Sequence, residues 1–527
     1  MQRRTTEHSF RPRHWSRVGL AVIAGSAALL LAGCTGGGDA GPTPTATTVS
    51  SVDNLTVSMP GPITGVDPAN TILQQNVWFV HLLGGNLFAA VPGSSSDVVP
   101  ALAQSGTLAD DGLSAVVTLK PNLKFSDGTP LTQNDVVATY TRDLTGKNIG
   151  ALFYAGITGV EASGTDGVKF TFANPNPNYQ AQLSQFPFAI LPADSWNKPD
   201  FVTNPVMAGQ YMAQGDITGN TATLVANPNY PGPKPSVQKL TFNVIADADA
   251  AANQLVSGQL DWATQVLPTR VATLDAGGTD STQINESWGI SVVTPNDSDP
   301  ILSDVKVRQA IGDAIDRTQL AQIVSSGTGD PQTGPLAPNF PGSTDAANQV
   351  FSATADTAKA KTELAGTACA TGCSFELLTS TATATAASTA TVLQQQLAAI
   401  GIKLTIVSVD QTTFNTRVFA KNFQIVLTGG GAFGYSPTLA LMLNPQGPTK
   451  AMFSQWPSTT ISAALLAANT ASSADQGTAL TNVVKVFAQD VPWVPLLSNP
   501  QISAVKAEYA NQIFFSPTGV PDVATLP

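Results

Sequence analysis

Read from its N-terminal end, the pattern of polar and apolar positions first shows an uncharged apolar run from Val18 to Ala32, preceded by Arg3, Arg4, Arg11, Arg13 and Arg17. A basic flank followed by about 15 apolar residues is the pattern of a secretory signal, and it falls short of the ~20 residues that span a bilayer. Residues 34–53 then lose any apolar period and are rich in Gly, Thr and Pro. They predict a flexible tether with a root-mean-square reach of roughly 20 to 25 Å. From Asn54 the pattern becomes that of a folded body. Alternation predicts strands at 54–58, 114–120, 168–172 and 223–226, and a helical period covers 72–83. Thr132 with Asp135 three positions later predicts the capped start of a helix over 132–142. Strands over 240–245 and 260–263 flank a helix over 246–258, which is a βαβ unit. One helix is expected over 305–325, and another over 383–400 that feeds a strand at 402–407. A strand over 423–427 is expected to end in the glycine-rich stretch Thr428 to Tyr435. Strands alternating with helices predict an α/β fold with mixed sheets.

Length and charge narrow the function. A chain of 527 residues is too long for one core, so at least two lobes are expected beyond the signal and tether. Loss of residues 1–33 would leave 20 basic and 35 acidic residues. Such a surface repels nucleic acid and anionic lipid, so no nucleic-acid partner is expected. Of the three histidines only His81 lies beyond the signal, inside the apolar stretch Val77 to Leu83, where a packed residue is expected. Histidine-based nucleophilic catalysis and histidine-rich metal centres are therefore disfavoured, and no catalytic residue, metal or cofactor is predicted. Cys369 and Cys373, four positions apart in a turn-like stretch, read in an exported protein as a small-loop disulfide. Gly429, Gly430 and Gly431 lack the Gly-Lys-Ser/Thr sequel of a phosphate loop.

Several segments in order carry a resemblance. Leu31-Ala32-Gly33-Cys34 resembles the lipobox of bacterial lipoproteins, which implies a lipid on the Cys34 sulfur and an extracytoplasmic body held at the cell membrane. Leu123 to Tyr140, Asn227 to Tyr230 with Leu255 to Trp262, Asp304 to Arg317, Gln394 to Leu404 and Val491 to Leu497 resemble five blocks of the extracytoplasmic solute-binding proteins of ABC importers, peptide/nickel type (family 5). The blocks themselves read as structural. Asp127-Gly128 with Pro130 shapes a turn, and Arg308 and Arg317, each four positions from an aspartate, suggest surface ion pairs.

The resemblance implies a two-lobed, periplasmic-binding-protein-like (Venus-flytrap) fold with an inserted subdomain. Residues 54–89, 205–290 and 491–527 would form lobe I, 90–204 the insertion and 291–490 lobe II. It also implies a monomer without enzymatic activity that hands a small peptide or another solute to ABC permease subunits. Peptide-binding relatives hold the peptide amine with an aspartate after the strand matching 423–427; here no Asp or Glu occurs between Asp410 and Asp475. The candidate ligand contacts are Gly430, Gly431, Phe433 and Tyr435, with a surface loop as the alternative. A second strip holds Trp288, Asn296, Asp297 and Asp299, whose acids are either amine ligands or plain loop residues. Trp262 is open between cleft lining and core. A glycoside, a metal chelate or a tetrapyrrole stands beside the peptide as ligand. An exported hydrolase or a structural envelope protein stands outside the class, and the chain lacks a Gly-x-Ser-x-Gly elbow near an acid pair.

Overall fold

A computed structural model describes the chain from Val52 to Val523, except for residues 72, 92–97, 147, 149, 155, 286, 288, 339, 341–342, 382, 384, 432–458, 473, 511–512 and 517–518. Strand β1 (Leu55–Met59) and helix α1 (Gln74–Leu83) come first. An antiparallel sheet of β2 (Ala103–Leu108), β3 (Ser114–Leu119), β4 (Ile157–Ser163) and β5 (Gly167–Phe172) follows, with helix α2 (Gln133–Thr145) between β3 and β4. The chain then rejoins β1 through β6 (Tyr211–Ala213), β7 (Thr221–Ala226), β8 (Lys239–Val244), α3 (Ala248–Val256), β9 (Trp262–Ala263) and β10 (Asp280–Asn285).

A further sheet uses β11 (Gly289–Pro295), β12 (Cys373–Ser380), β13 (Ile402–Val409), β14 (Ile425–Gly431) and β15 (Val494–Ser498). Helices α4 (Val305–Asp313), α5 (Arg317–Ser325), α6 (Thr357–Leu364), α7 (Ala386–Ala398), α8 (Gln411–Phe419), α9 (Thr459–Thr470) and α10 (Gln476–Asp490) connect its strands. The last long strand, β16 (Gln501–Lys506), returns to the first sheet.

The seven-stranded sheet runs β10-β16-β9-β1-β8-β7-β6, and the five-stranded sheet runs β13-β12-β14-β11-β15. β1 lies between β8 and β9 and is parallel to both, as a βαβ unit requires. Its Leu55, Val57 and Met59 share one face and are all fully buried, while on the other face Ser58 is buried and Thr56 only half-buried. In the antiparallel sheet β3 alternates: Ala115, Val117 and Leu119 face in and Val116 faces out. One apolar cluster, including Trp78, Phe79, Phe88, Tyr140, Phe188 and Tyr211, joins the seven-stranded sheet to the four-stranded one. The five-stranded sheet has its own core around Leu377, Leu404, Ile425 and Val494.

α2 starts where its capping box predicts. The Asp135 carboxylate accepts from the Thr132 N–H at 2.9 Å and so satisfies a helix-start donor. Cys369 and Cys373 form a disulfide at the entrance to β12.

Several expectations are corrected. The region 305–325 is two helices. α4 closes at Ala314, and Asp316 opens α5 by accepting from the Gln319 N–H at 2.8 Å. Arg308 and Arg317 are not surface partners; both are buried. Arg308 donates to the Leu302, Ser303, Asp490 and Val491 carbonyls at 2.6–3.0 Å, which include the orphan end of α10. Arg317 donates to Gly312, Ile315, Ser352 and Pro495 carbonyls at 2.9–3.2 Å and lies over the Phe351 ring. The last carbonyls of a helix carry partial negative charge, so backbone dipoles help to match these guanidiniums. Burial lowers Arg308 to about 10 and Arg317 to about 9, values at which both stay charged at neutral pH. Gly312 fits this joint closely: a Cβ there would sit 2.2 Å from the Phe351 ring.

His81 lies on the exposed side of α1, whose other faces are covered. β14 does not stop at Leu427. It continues through Gly431, because β11 supplies a partner for each glycine. β15, expected with the first lobe, pairs with β11 in the five-stranded sheet, so the return to the first sheet comes only with β16.

Candidate functional site at the strand crossings

Two short segments carry the chain between the seven- and five-stranded sheets: 286–288, from β10 to β11, and 499–500, from β15 to β16. The start of β11 meets the second crossing, since the Asn499 N–H donates to the Gly289 carbonyl at 2.8 Å. Strand register shows what else gathers there. Gly289 pairs with Gly431 and Ile290 with Gly430, so the C-terminal end of β14 is at this crossing. Ile290 also pairs with Ser498, the last residue of β15. On the other side, Asn285 at the end of β10 pairs with Gln501 at the start of β16. β9 runs antiparallel to β16, which puts its C-terminal end and the following Thr264 and Gln265 on the same edge. In α/β sheets, ligands bind outside the carboxyl ends of the strands where the topology changes direction. The crossing between the two sheets is such a place.

Side-chain amides gather at this edge, beside Ser287, Ser498 and Asp330. Gln501 Nε2 donates to the Thr264 carbonyl at 2.8 Å, and its Oε1 accepts from Gln74 Nε2 at 3.3 Å. Gln74 Oε1 in turn accepts from Gln265 Nε2 at 3.1 Å. Asn285 Nδ2 is buried without a partner, a condition that costs about 1 to 3 kcal/mol. Gly429 of β14 leaves backbone open on the five-stranded side: a Cβ there would meet the Asn499 side chain at 3.9 Å. At a distance from the crossings, Asn178 Nδ2 of the insertion donates to the Asn469 carbonyl at the end of α9, 3.4 Å away.

The residues singled out by sequence are distributed unevenly around this edge. Gly430 and Gly431 are on it. Asn296, Asp297 and Asp299 lie beyond the opposite end of β11, about 20 Å along a seven-residue strand. There Asn296 is buried and donates to the Lys421 and Phe423 carbonyls at 3.1 and 2.7 Å. Asp299 accepts from the Ile301 and Leu302 N–H groups and from Gln424 Nε2, a turn-capping role. Asp297 accepts from its neighbour Ser298 at 3.3 Å, and among the described residues none of the three joins the crossing. Trp262 is fully buried with its ring 5.1 Å from that of Phe515, which makes it core; its Nε1 has no partner. Trp288, Phe433, Tyr435 and the lipidation candidate Cys34 lie outside the described residues. The sequence reading missed Gln74, Gln265, Asn285 and Gln501. Their signal was weak: Gln265 follows the second resemblance block, and Gln501 follows the last.

A separate polar cluster ties the insertion to the loop after β1. Asp67 pairs with Arg142 on α2, and Arg142 lies 4.8 Å over the Trp196 ring. The neighbouring Asp143 accepts from Tyr154 Oη at 3.0 Å. Burial pushes its carboxyl up to about 6, against the opposing pull of Arg142. Among the described residues no helix is long and apolar enough to cross a membrane, and no group of three or more potential ligands could hold a metal.

Comparison with known proteins agrees with this architecture. Residues 97–452 match the family of bacterial extracellular solute-binding proteins, family 5 Middle, and the chain belongs to that family. Protein XP55 of Streptomyces lividans is 34% identical over 251 residues, 46% of each chain. The oligopeptide-binding protein AppA of Bacillus subtilis is 27% identical over 343 residues, 58% of this chain and 60% of AppA. The chain thus spans about half the length of the curated relatives it matches. Among solved structures, the periplasmic binding protein DppA from Helicobacter pylori in complex with the peptide STSA superposes with a TM-score of 0.76 at 19% identity, covering 90% of this chain and 97% of that one. AgaA of A. tumefaciens R10 in complex with agropinic acid gives 0.75 at 22% identity, with 89% and 95% covered. The fold is therefore the two-lobed α/β fold of periplasmic binding proteins.

Proposed function

We propose that the protein is the extracytoplasmic substrate-binding component of an ABC importer, held at the cell membrane by lipid on Cys34, and that it captures oligopeptides between its lobes. The observation that carries this reading is the pairing of the two crossings through Asn499 and Gly289, with strand ends of both sheets at the same edge. Two adjacent short crossings form a hinge, and a hinge lets the lobes close on a ligand without disturbing either sheet. Lobe I comprises residues 54–89, 205–285 and 501–527, with 90–204 inserted, and lobe II comprises 289–498. Closure is driven only by contacts the ligand makes better in the closed state. The work is capture and release by a monomer, with no bond made or broken. A tether of about 20 residues keeps it at high effective concentration beside its permease. Peptide binding by AppA and by the H. pylori DppA complex supports the ligand class.

Native mass spectrometry of protein purified without denaturation tests the reading. It expects a bound mass that is released on unfolding and fragments as a peptide. A sugar or macrocycle in its place overturns the peptide class and leaves the receptor role.

A further inference from the structure

A cavity of about 270 Å³ opens between α3, the short helix Val271–Gly277 and the start of β10. It lies away from the crossings. Asp280 in its wall and Asn285 at the crossing are opposite ends of β10, roughly 17 Å apart along the strand. The wall is tied in place, because Asp275 of the short helix accepts from the Thr282 N–H at 3.0 Å and from Thr282 Oγ1 at 2.7 Å.

Arg270 lines the cavity with its guanidinium only partly matched. One Nη lies 3.4 Å from an Asp249 carboxylate oxygen, the other donates to Asn253 Oδ1 at 3.0 Å, and Nε is buried without a partner. An unmatched buried donor calls for an acceptor. Asp280 supplies the opposite polarity: it is buried and accepts from Thr279 Oγ1 at 3.3 Å. Thr273 adds a hydroxyl, and Leu274 with the exposed Val256 adds an apolar strip. An anion drawn to Arg270 meets Asp249 on the same guanidinium and Asp280 beside it. A cation drawn to Asp280 meets Arg270.

We propose that this cavity is a second binding site, for a single uncharged polyhydroxy ring. A hydroxyl both donates and accepts, so neighbouring hydroxyls of one ring can serve Asp280 and Arg270 together while ring C–H groups cover the apolar strip. Size points the same way. The volume equals that of about nine waters at ~30 Å³ each, which suits one small ring and is below the range of pockets for larger ligands. The site is independent of capture between the lobes, and it stands or falls apart from the receptor reading.

Ligand-observed NMR titrations of the exported chain with myo-inositol and methyl α-glucoside test the proposal, with serine as a zwitterionic arm. One-to-one binding of a polyol is expected in the low millimolar range of so small a ligand, with serine bound at least tenfold more weakly. A Cβ at Gly277, in the cavity wall, would meet nothing within 4 Å, so Gly277→Leu fits without a clash and fills the space. It is expected to weaken polyol binding at least tenfold with the melting temperature of the empty protein unchanged. Arg270→Met is expected to weaken it by a similar factor. Mixed libraries of uncharged pentapeptides, added to occupy the space between the lobes, are expected to leave polyol affinity within twofold. Absence of polyol binding, affinity undiminished in Gly277→Leu, or displacement of the polyol by the peptides overturns the proposal. Serine binding as tightly as the polyols overturns the neutral class.

Discussion

Asn499 donates its backbone N–H to the Gly289 carbonyl across 2.8 Å, so the segments on which the lobes would turn are coupled to each other. Replacing Asn499 with Pro removes that donor without touching either core. The expected outcome is a small loss of stability, about 1 kcal/mol by urea unfolding, together with a larger loss of ligand affinity. An affinity equal to that of the unmodified protein would show that the coupling is irrelevant to closure.

Arg317 holds four carbonyls from α4, its exit turn, the loop before α6 and β15. Arg317→Met keeps the bulk but leaves buried acceptors unmatched, which is expected to cost about 3 to 5 kcal/mol in urea or thermal unfolding. Lysine is not an adequate replacement, because a single ammonium cannot span that fan of acceptors. A loss below about 1 kcal/mol would mean that water reaches those carbonyls.

Asp143 gives a pH signature. Its folded pKa of about 6 lies above the ordinary carboxylate value, so the folded state holds the proton more tightly than the unfolded chain does. Stability attributable to this group therefore rises as pH falls from above 6 towards 4, and its charge is a penalty above 6. Asp143→Asn keeps an acceptor for Tyr154 and removes the titration. It should flatten the stability profile between pH 4 and 7 by about 2 to 3 kcal/mol, measured as urea midpoints. A profile identical to that of the unmodified protein would assign the slope elsewhere.

The fold was legible where local pattern and tertiary context agree. The Thr132–Asp135 capping box and the alternation of β3 needed no distant information. The joint at 314–316 was hidden because the apolar period runs through it, and only the Asp316 cap marks it. The arginines misled because a charge four positions from an aspartate looks the same whether the guanidinium turns to solvent or inward to carbonyls. At the site the difficulty was one of ends. Asn296, Asp297 and Gly289 flank the same short strand, and sequence does not say which end meets the other lobe. The amides of Gln74, Gln265, Asn285 and Gln501 carry no motif at all, since sheet register and tertiary folding alone make them neighbours.

The most direct test of a hinged receptor is small-angle X-ray scattering from the exported chain, before and after saturation with the uncharged pentapeptide libraries. The account predicts a lower radius of gyration with the library present, accompanied by a higher melting temperature. A library that binds and leaves the scattering curve unchanged, or a protein that binds neither peptides nor saccharides, would contradict it.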